Sequence, residues 1–222
     1  ARDEGRGTPQ GSSLSPLLSN LYMRRFILGW KQLGHEQRLD AHIVNYADDF
    51  VICCRGSALE AMSVLRTMMA KLKLTINETK TRQCQAPDEP FDFLGYTIGR
   101  RYSAKTGQPY IGVWPSDQKL RGLNQKLHEQ TDRRWGWLDP EELVGRLNRL
   151  LRGWANYFCL GTVTSAYRKV TAHACHRLRQ WLVRKHGVRG SRWSRFSDRY
   201  LHDTLGLIRL QRRRSSPSWA TV

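Results

Sequence analysis

Tyr46-Ala47-Asp48-Asp49 sets two adjacent acids between two short apolar runs, and this pattern constrains the fold more than any other stretch of the chain. His42-Ile43-Val44-Asn45-Tyr46 lies to its left and Phe50-Val51-Ile52-Cys53-Cys54 to its right. Both runs are rich in β-branched and aromatic residues, so they predict strands joined by a tight turn. Such a hairpin lifts Asp48 and Asp49 to its tip. Two crowded carboxylates repel each other unless a positive group sits beside them. Mg²⁺ suits that place, because it takes hard oxygen ligands and combines one or two carboxylates with substrate phosphates. Taken alone, the motif reads equally well as a solvated turn, since Asp favours turns for local reasons.

Upstream, Gly7-Thr8-Pro9-Gln10-Gly11-Ser12-Ser13-Leu14-Ser15-Pro16 precedes Leu17, Leu18, Leu21 and Tyr22 at helical spacing. Ser15 and Pro16 read as N-cap and first helical position. A loop of this kind offers backbone N–H groups to phosphate or template backbone, although a plain helix start is the simpler reading. Downstream, Ser57 and Glu60 form a capping box before Met62, Leu65, Met69 and Leu72, a stripe suited to core packing. Phe93-Leu94-Gly95-Tyr96-Thr97-Ile98 predicts a strand and Pro109-Tyr110-Ile111-Gly112-Val113-Trp114 its return, with a turn signal at Lys105-Thr106-Gly107. A glycine inside a strand marks either close approach of another backbone or a bulge.

Pro9-Gln10-Gly11-Ser12 with Ser15-Pro16-Leu17-Leu18, then Tyr46-Ala47-Asp48-Asp49, then Phe93-Leu94-Gly95-Tyr96 resemble, in order and spacing, the palm of a group II intron reverse transcriptase. The resemblance implies RNA-directed DNA synthesis from a DNA primer and deoxynucleotides, with Mg²⁺ as cofactor. Asp48 and Asp49 would be catalytic and hold the metal. Pro9, Gln10, Gly11 and Ser12 would lie along template and incoming nucleotide. Lys80 matches a candidate proton donor to the leaving pyrophosphate, although a solvated strand-end lysine is the simpler reading. Phe93, Leu94, Gly95 and Tyr96 would grip the primer. Two-metal phosphoryl transfer needs a full cage of carboxylates. The family draws a further aspartate from a strand before the Pro9-Gln10-Gly11 segment, and Asp3 and Glu4 stand too near the loop to serve. The expectation is a chain that lacks the fingers and first half of the palm and does not polymerise alone.

Charge points to a polyanionic partner. The chain carries 37 Lys and Arg against 19 Asp and Glu, a formal net charge of +18. Residues 1–115 hold 15 basic and 11 acidic residues, and residues 116–222 hold 22 and 8, so the excess is concentrated in the second half. Concentrated positive charge raises both affinity for nucleic acid and the rate of encounter. An anionic membrane surface would also attract it. No apolar stretch is long enough to span a bilayer, and no signal-peptide pattern is present. Five cysteines without paired spacing suit a reducing compartment. The expected location is therefore the cytoplasm, of a bacterium by resemblance. His173-Ala174-Cys175-His176 lacks a second ligand pair at finger-like spacing and reads as packing or RNA contact.

Beyond Pro115-Ser116 the pattern is helical. Asp139-Pro140-Glu141-Glu142 is a helix start, followed by an apolar face of Leu143, Leu147, Leu150, Trp154 and Phe158. Arg146, Arg149 and Arg152 collect elsewhere on that helix. A second helix from Thr164 to Lys185 turns Val170, Ala174, Leu178 and Trp181 inward, and the reading sends Arg168, Lys169, Arg177 and Arg184 outward. These seven basic residues are the candidate RNA contacts; a solvated helix face is the alternative for each. The run from Leu147 to Phe158, the basic helix after it and Tyr200-Leu201-His202-Asp203-Thr204-Leu205-Gly206-Leu207 are similar to the maturase segment of the same family. That likeness implies group II intron RNA as partner and assistance to splicing and retrohoming. The expected fold is α+β: a partial palm over residues 1–115, then a helical thumb and maturase region over 116–222. The competing reading is a non-enzymatic RNA-binding maturase remnant.

Overall fold

β1 (Ala41–Tyr46) and β2 (Asp49–Cys54) pair antiparallel from Ala41 opposite Cys54 to Tyr46 opposite Asp49, leaving Ala47 and Asp48 as a two-residue turn. In this computed structural model the described residues are 12–188 and 195–212. Their contacts divide the chain into two units, residues 1–84 and 85–222.

In the first unit the hairpin is joined by α1 (Leu14–Gln32), α2 (His35–Arg38) and α3 (Ala58–Lys71). α1 begins at Leu14 with Ser13 as its cap, not at Pro16 with Ser15 as its cap. The Ser12 Oγ accepts the Leu14 N–H at 3.3 Å. Proline is tolerated throughout the first turn because those N–H groups have no intrahelical partner, so Pro16 did not fix the boundary. Met23, Phe26 and Trp30 bury the inner face of α1 against Ala61, Leu65, Met68 and Met69 of α3. The Trp30 Nε1–H donates to the Ala41 carbonyl at 3.0 Å, tying α1 to the first strand. Leu14, Leu17, Leu18 and Leu21 recur at helical spacing yet lie exposed. At the start of α3 the Ser57 Oγ accepts the Glu60 N–H at 3.3 Å, which is half of the expected capping box. The Glu60 carboxylate pairs with Arg38 instead of turning back to the cap.

The second unit combines a three-stranded antiparallel sheet, β3 (Phe91–Phe93), β4 (Tyr96–Tyr102) and β5 (Pro109–Pro115), with α4 (Asp117–Gln130), α5 (Pro140–Tyr157) and α6 (Thr164–Lys185). A 3-10 turn over Arg133–Trp135 links α4 to α5, and a single π-helical turn spans Tyr200–Thr204. The expected single strand over residues 93–98 is interrupted. Phe93 pairs with Tyr96 across a two-residue turn in which Leu94 (φ 51°) and Gly95 (φ 80°) are both left-handed. That is the type I′ geometry favoured between short antiparallel strands, and Gly95 meets its φ requirement without a Cβ penalty. α5 and α6 appear where the sequence placed them, with Asp139 at the N-cap position, its side chain making no cap hydrogen bond, and Pro140 first. Leu143, Leu147 and Leu151 of α5 pack with Leu178, Trp181 and Leu182 of α6 around Leu127 of α4. The change in charge density at Pro115-Ser116 falls inside this unit: the Ser116 N–H donates to the Gly95 carbonyl at 2.9 Å, and the Ser116 Oγ caps α4. Helices and small sheets together make the chain α+β.

Candidate catalytic hairpin and nucleic-acid interface

Asp48 and Asp49 occupy the tip of the β1–β2 hairpin, as the spacing predicts, and both are exposed. Ala47 holds the turn with φ at 53°. A left-handed conformation costs an L-residue with a Cβ about 1–2 kcal/mol, so the tip carries local strain beside the two acids. Neither carboxylate takes part in a hydrogen bond or ion pair among the described residues. Two adjacent, hydrated carboxylates with free oxygens fit a hard divalent cation by the chemistry of the donors. Among the described residues no group of three or more His, Cys, Asp or Glu side chains is assembled to hold a metal.

The remaining palm candidates are dispersed. Pro9, Gln10 and Gly11 lie outside the described residues, and Ser12 sits at the start of α1. Lys80 is exposed and belongs to a turn, not to a strand end. Its N–H donates to the Asn77 Oδ1 at 3.2 Å, and the Thr79 hydroxyl donates to the same oxygen at 2.7 Å. Asn77 bends the chain through its own side chain, which outweighs the β-branched residues before it.

Phe93, Leu94, Gly95 and Tyr96 lie in the second unit, around the type I′ turn. What comes close to Gly95 here is protein: a Cβ built on it would stand 2.9 Å from Lys119 Cε and 3.4 Å from Phe158 Cζ. Tyr96 is buried and its hydroxyl donates to the Tyr157 carbonyl at 2.6 Å, while the Tyr157 hydroxyl donates to the Leu94 carbonyl at 2.9 Å. Burial pushes the Tyr96 phenol up to about 12. Tyr96, Trp154 and Phe158 therefore form an aromatic seam between the sheet and α5, with Tyr157 half-exposed at its edge.

The seven basic candidates separate into two sets. Arg149, Arg152, Arg168 and Lys169 are exposed and have no acidic partner among the described residues. Arg146 is half-buried, pairs with Glu142 at 2.8 Å and lies 5.0 Å from the Trp135 ring centroid. Arg177 does not face outward: it is 9% exposed, and its guanidinium donates to the Thr131 hydroxyl and the Gln180 Oε1 at 3.0 Å. Burial first, then Arg184, lowers its pKa. Its position was legible, since residue 177 lies three after Ala174 and seven after Val170, on the buried stripe. Arg184 donates to the Thr131 carbonyl at 3.1 Å, and Lys185 to the carbonyls of Gly136 and Leu138 at 3.0 and 2.7 Å. These three cations satisfy carbonyls at the end of α4 and in the turn after it.

Two side chains missed by sequence reasoning organise the segment between Phe196 and Ile208. Asn148 donates to the Gly206 carbonyl and accepts the Ile208 N–H, both at 2.9 Å. Arg179 is 3% exposed, donates to the Phe196 carbonyl at 2.7 Å and pairs with Asp198. A polar residue at i+4 from Val144 and i+1 from Leu147 on a buried stripe was the available signal for Asn148. His173-Ala174-Cys175-His176 gathers no metal ligands among the described residues; the Cys175 thiol instead contacts His202 Nε2 at 3.3 Å. No helix among the described residues is long and apolar enough to cross a membrane.

Comparison with known proteins joins the two units. The family described as reverse transcriptase (RNA-dependent DNA polymerase) matches residues 1–98, and the group II intron, maturase-specific domain matches residues 120–200. A polymerase-family segment followed by a maturase segment defines an intron-encoded class of protein. The chain belongs to the group II intron reverse transcriptase/maturase family. It is 27% identical over 134 residues to the uncharacterized 91 kDa protein in cob intron of Schizosaccharomyces pombe, covering 52% of this chain and 16% of that protein. It is 29% identical over 149 residues to the putative COX1/OXI3 intron 1 protein of Saccharomyces cerevisiae, covering 54% of this chain and 18% of that protein. The match thus spans less than a fifth of either relative.

Proposed function

We propose that the first unit supplies part of a polymerase palm for RNA-directed DNA synthesis, and that the helices of the second unit act as thumb and maturase region, binding group II intron RNA to assist splicing and retrohoming. The observation that carries the proposal is the exposed Asp48-Asp49 pair on a strained hairpin tip, in one chain with exposed cations on α5 and α6 that lack acidic partners among the described residues. Mg²⁺ bound there would neutralise charge on a primer oxygen and on nucleotide phosphates during nucleotidyl transfer. The hairpin's part is to hold two carboxylates side by side on a paired backbone. A further carboxylate, from residues other than those that surround Asp48 and Asp49 in this unit, would complete the cage. Arg149, Arg152, Arg168 and Lys169 would meet RNA phosphates, which makes affinity fall steeply with salt.

The test uses primer extension by the full-length protein that carries these residues. Asp48→Asn should lower primer extension on an RNA template by orders of magnitude, because groups that act as a unit are lost as a unit. Binding of intron RNA should stay within about twofold, since only one exposed charge changes and the basic helices keep theirs. Primer extension retained at the parental rate would remove Asp48 from the active centre. Equal affinity for intron RNA and an unrelated RNA of similar length would reduce the second unit to a nonspecific basic module.

A further inference from the structure

Between α6 and the chain that follows the π-helical turn lies an open cavity of about 540 Å³. Arg168, Arg179, Arg209 and Arg212 line it, with Asp198 as its only acid among the described residues and Thr171 on its α6 wall. Four guanidinium groups against one carboxylate leave a strong local excess of positive charge. The walls are fixed by structure. Leu207 donates its N–H to the Leu201 carbonyl at 2.9 Å, Ile208 to Asn148, and Leu210 to the Thr171 hydroxyl at 3.3 Å. Arg209 therefore stands between two anchored residues. Arg179 is nearly fully buried and oriented by Phe196 and Asp198, so one guanidinium is held in place before any ligand arrives. His202 engages the Leu207 carbonyl through Nδ1 at 2.6 Å, leaving Nε2 to accept from the Cys175 thiol, so the floor beneath the arginines adds no negative charge.

The volume lies within the range of small-ligand sites and suits one nucleotide, not a helix. Arg168 is shared between this cavity and the exposed basic face of α6. A strand running along that face could turn a single base and its phosphate inward, since sequence-specific RNA contacts favour splayed, unpaired nucleotides. Arginine is the side chain best shaped for bidentate capture of phosphate.

We propose that this cavity receives one unpaired nucleotide of a bound RNA, its phosphate held by Arg168, Arg209 and Arg212. The proposal rests on the RNA-binding reading of the second unit. The test compares a hairpin RNA carrying a single-nucleotide bulge with its fully paired counterpart, each bound by the full chain, the Arg168→Ala/Arg209→Ala/Arg212→Ala variant and the Arg149→Ala/Arg152→Ala variant. Wild type should prefer the bulged RNA, and a 5-iodouridine at the bulge should cross-link to a peptide containing Thr171 or Arg209. The triple variant should lose the preference, and its log K against log salt slope should flatten by about two units, from about 0.7 per single-strand contact. The Arg149→Ala/Arg152→Ala variant should weaken both RNAs equally. If the triple variant keeps the bulge preference while the α5 variant weakens both RNAs, the cavity proposal is wrong and the RNA-binding reading survives. If neither RNA is weakened by either variant, both fall. Displacement of the bulged RNA by micromolar pyrophosphate or a free nucleoside monophosphate would overturn the assignment to a polymer.

Discussion

Asn148→Ala should loosen the end of the chain without unfolding the helices. Asn148 is 9% exposed and holds both the Gly206 carbonyl and the Ile208 N–H at 2.9 Å. A net contribution of about 1 kcal/mol per hydrogen bond gives a local loss of about 2 kcal/mol. Leu201, Leu205 and Leu207 are buried around the same segment. Each contributes about 1.5–3 kcal/mol by burial, more together than the two hydrogen bonds. The segment should therefore stay docked while its backbone opens more often. Amide hydrogen exchange reads this directly: 2 kcal/mol corresponds to about 30-fold faster exchange at Ile208 when opening is local. Asn148→Asp sharpens the test, because it keeps the acceptor for Ile208 but sets an anionic oxygen against the Gly206 carbonyl. Its Ile208 amide should remain the better protected of the two variants. Exchange at Ile208 unchanged in Asn148→Ala would show that apolar burial alone sets the register, and that the two hydrogen bonds are incidental.

Other expectations follow from the turn, the buried cation and a half-buried imidazole. Gly95→Ala should destabilise by about 1–2 kcal/mol in urea titrations, because its φ of 80° is left-handed and the new Cβ would press on Lys119. Leu94→Gly, in the same turn, should be neutral or stabilising. Arg177→Met should cost under about 1 kcal/mol while Arg177→Ala costs about 2 kcal/mol or more, and the salt dependence of RNA binding should be unchanged in Arg177→Met. Burial holds His173 below its ordinary value of 6.5, so the unfolded chain takes up the proton first. Stability contributed by the neutral ring is then complete well above pH 6.5 and falls as pH drops through it; His173→Gln should flatten the thermal-melt profile below that point.

The acidic hairpin was legible because its signal is local and doubled, two β-rich runs flanking a short polar turn, although the structure draws Asp49 into the second strand opposite Tyr46. α5 and α6 were legible for the same reason, a cap or a long apolar period at each. Leu94-Gly95 was not. A run that alternates like a strand says nothing about a reversal in its middle, and leucine is a poor marker of a left-handed turn. Arg177 was sorted by charge and Arg179 was not singled out, when periodicity was the better guide, since both fall among Ala174, Cys175, Leu178 and Leu182 on one face. The leucines of α1 misled in the opposite sense. Their spacing reports helix, while Met23, Phe26 and Trp30 carry the burial, and no pattern in one helix says which neighbour will cover it. Asn148 pairs with residues nearly sixty positions away, a partnership that only the folded chain reveals.

The cations that close α4 have a practical corollary. Arg177, Arg184 and Lys185 hold carbonyl and hydroxyl oxygens, not carboxylates, so these contacts are ion–dipole in kind, short in range and partly shielded from water. Dissolved ions screen attraction between opposite charges far more than they weaken contacts of this type. The exposed arginines of α5 and α6, by contrast, would on the proposed reading meet RNA through solvent-accessible charge. Ionic strength should therefore act as a selective eluent: a concentrated chloride wash should strip bound polynucleotide while leaving the helical unit folded. If the proposed RNA binding holds, the same protein should be recoverable free of RNA and reloaded by dilution.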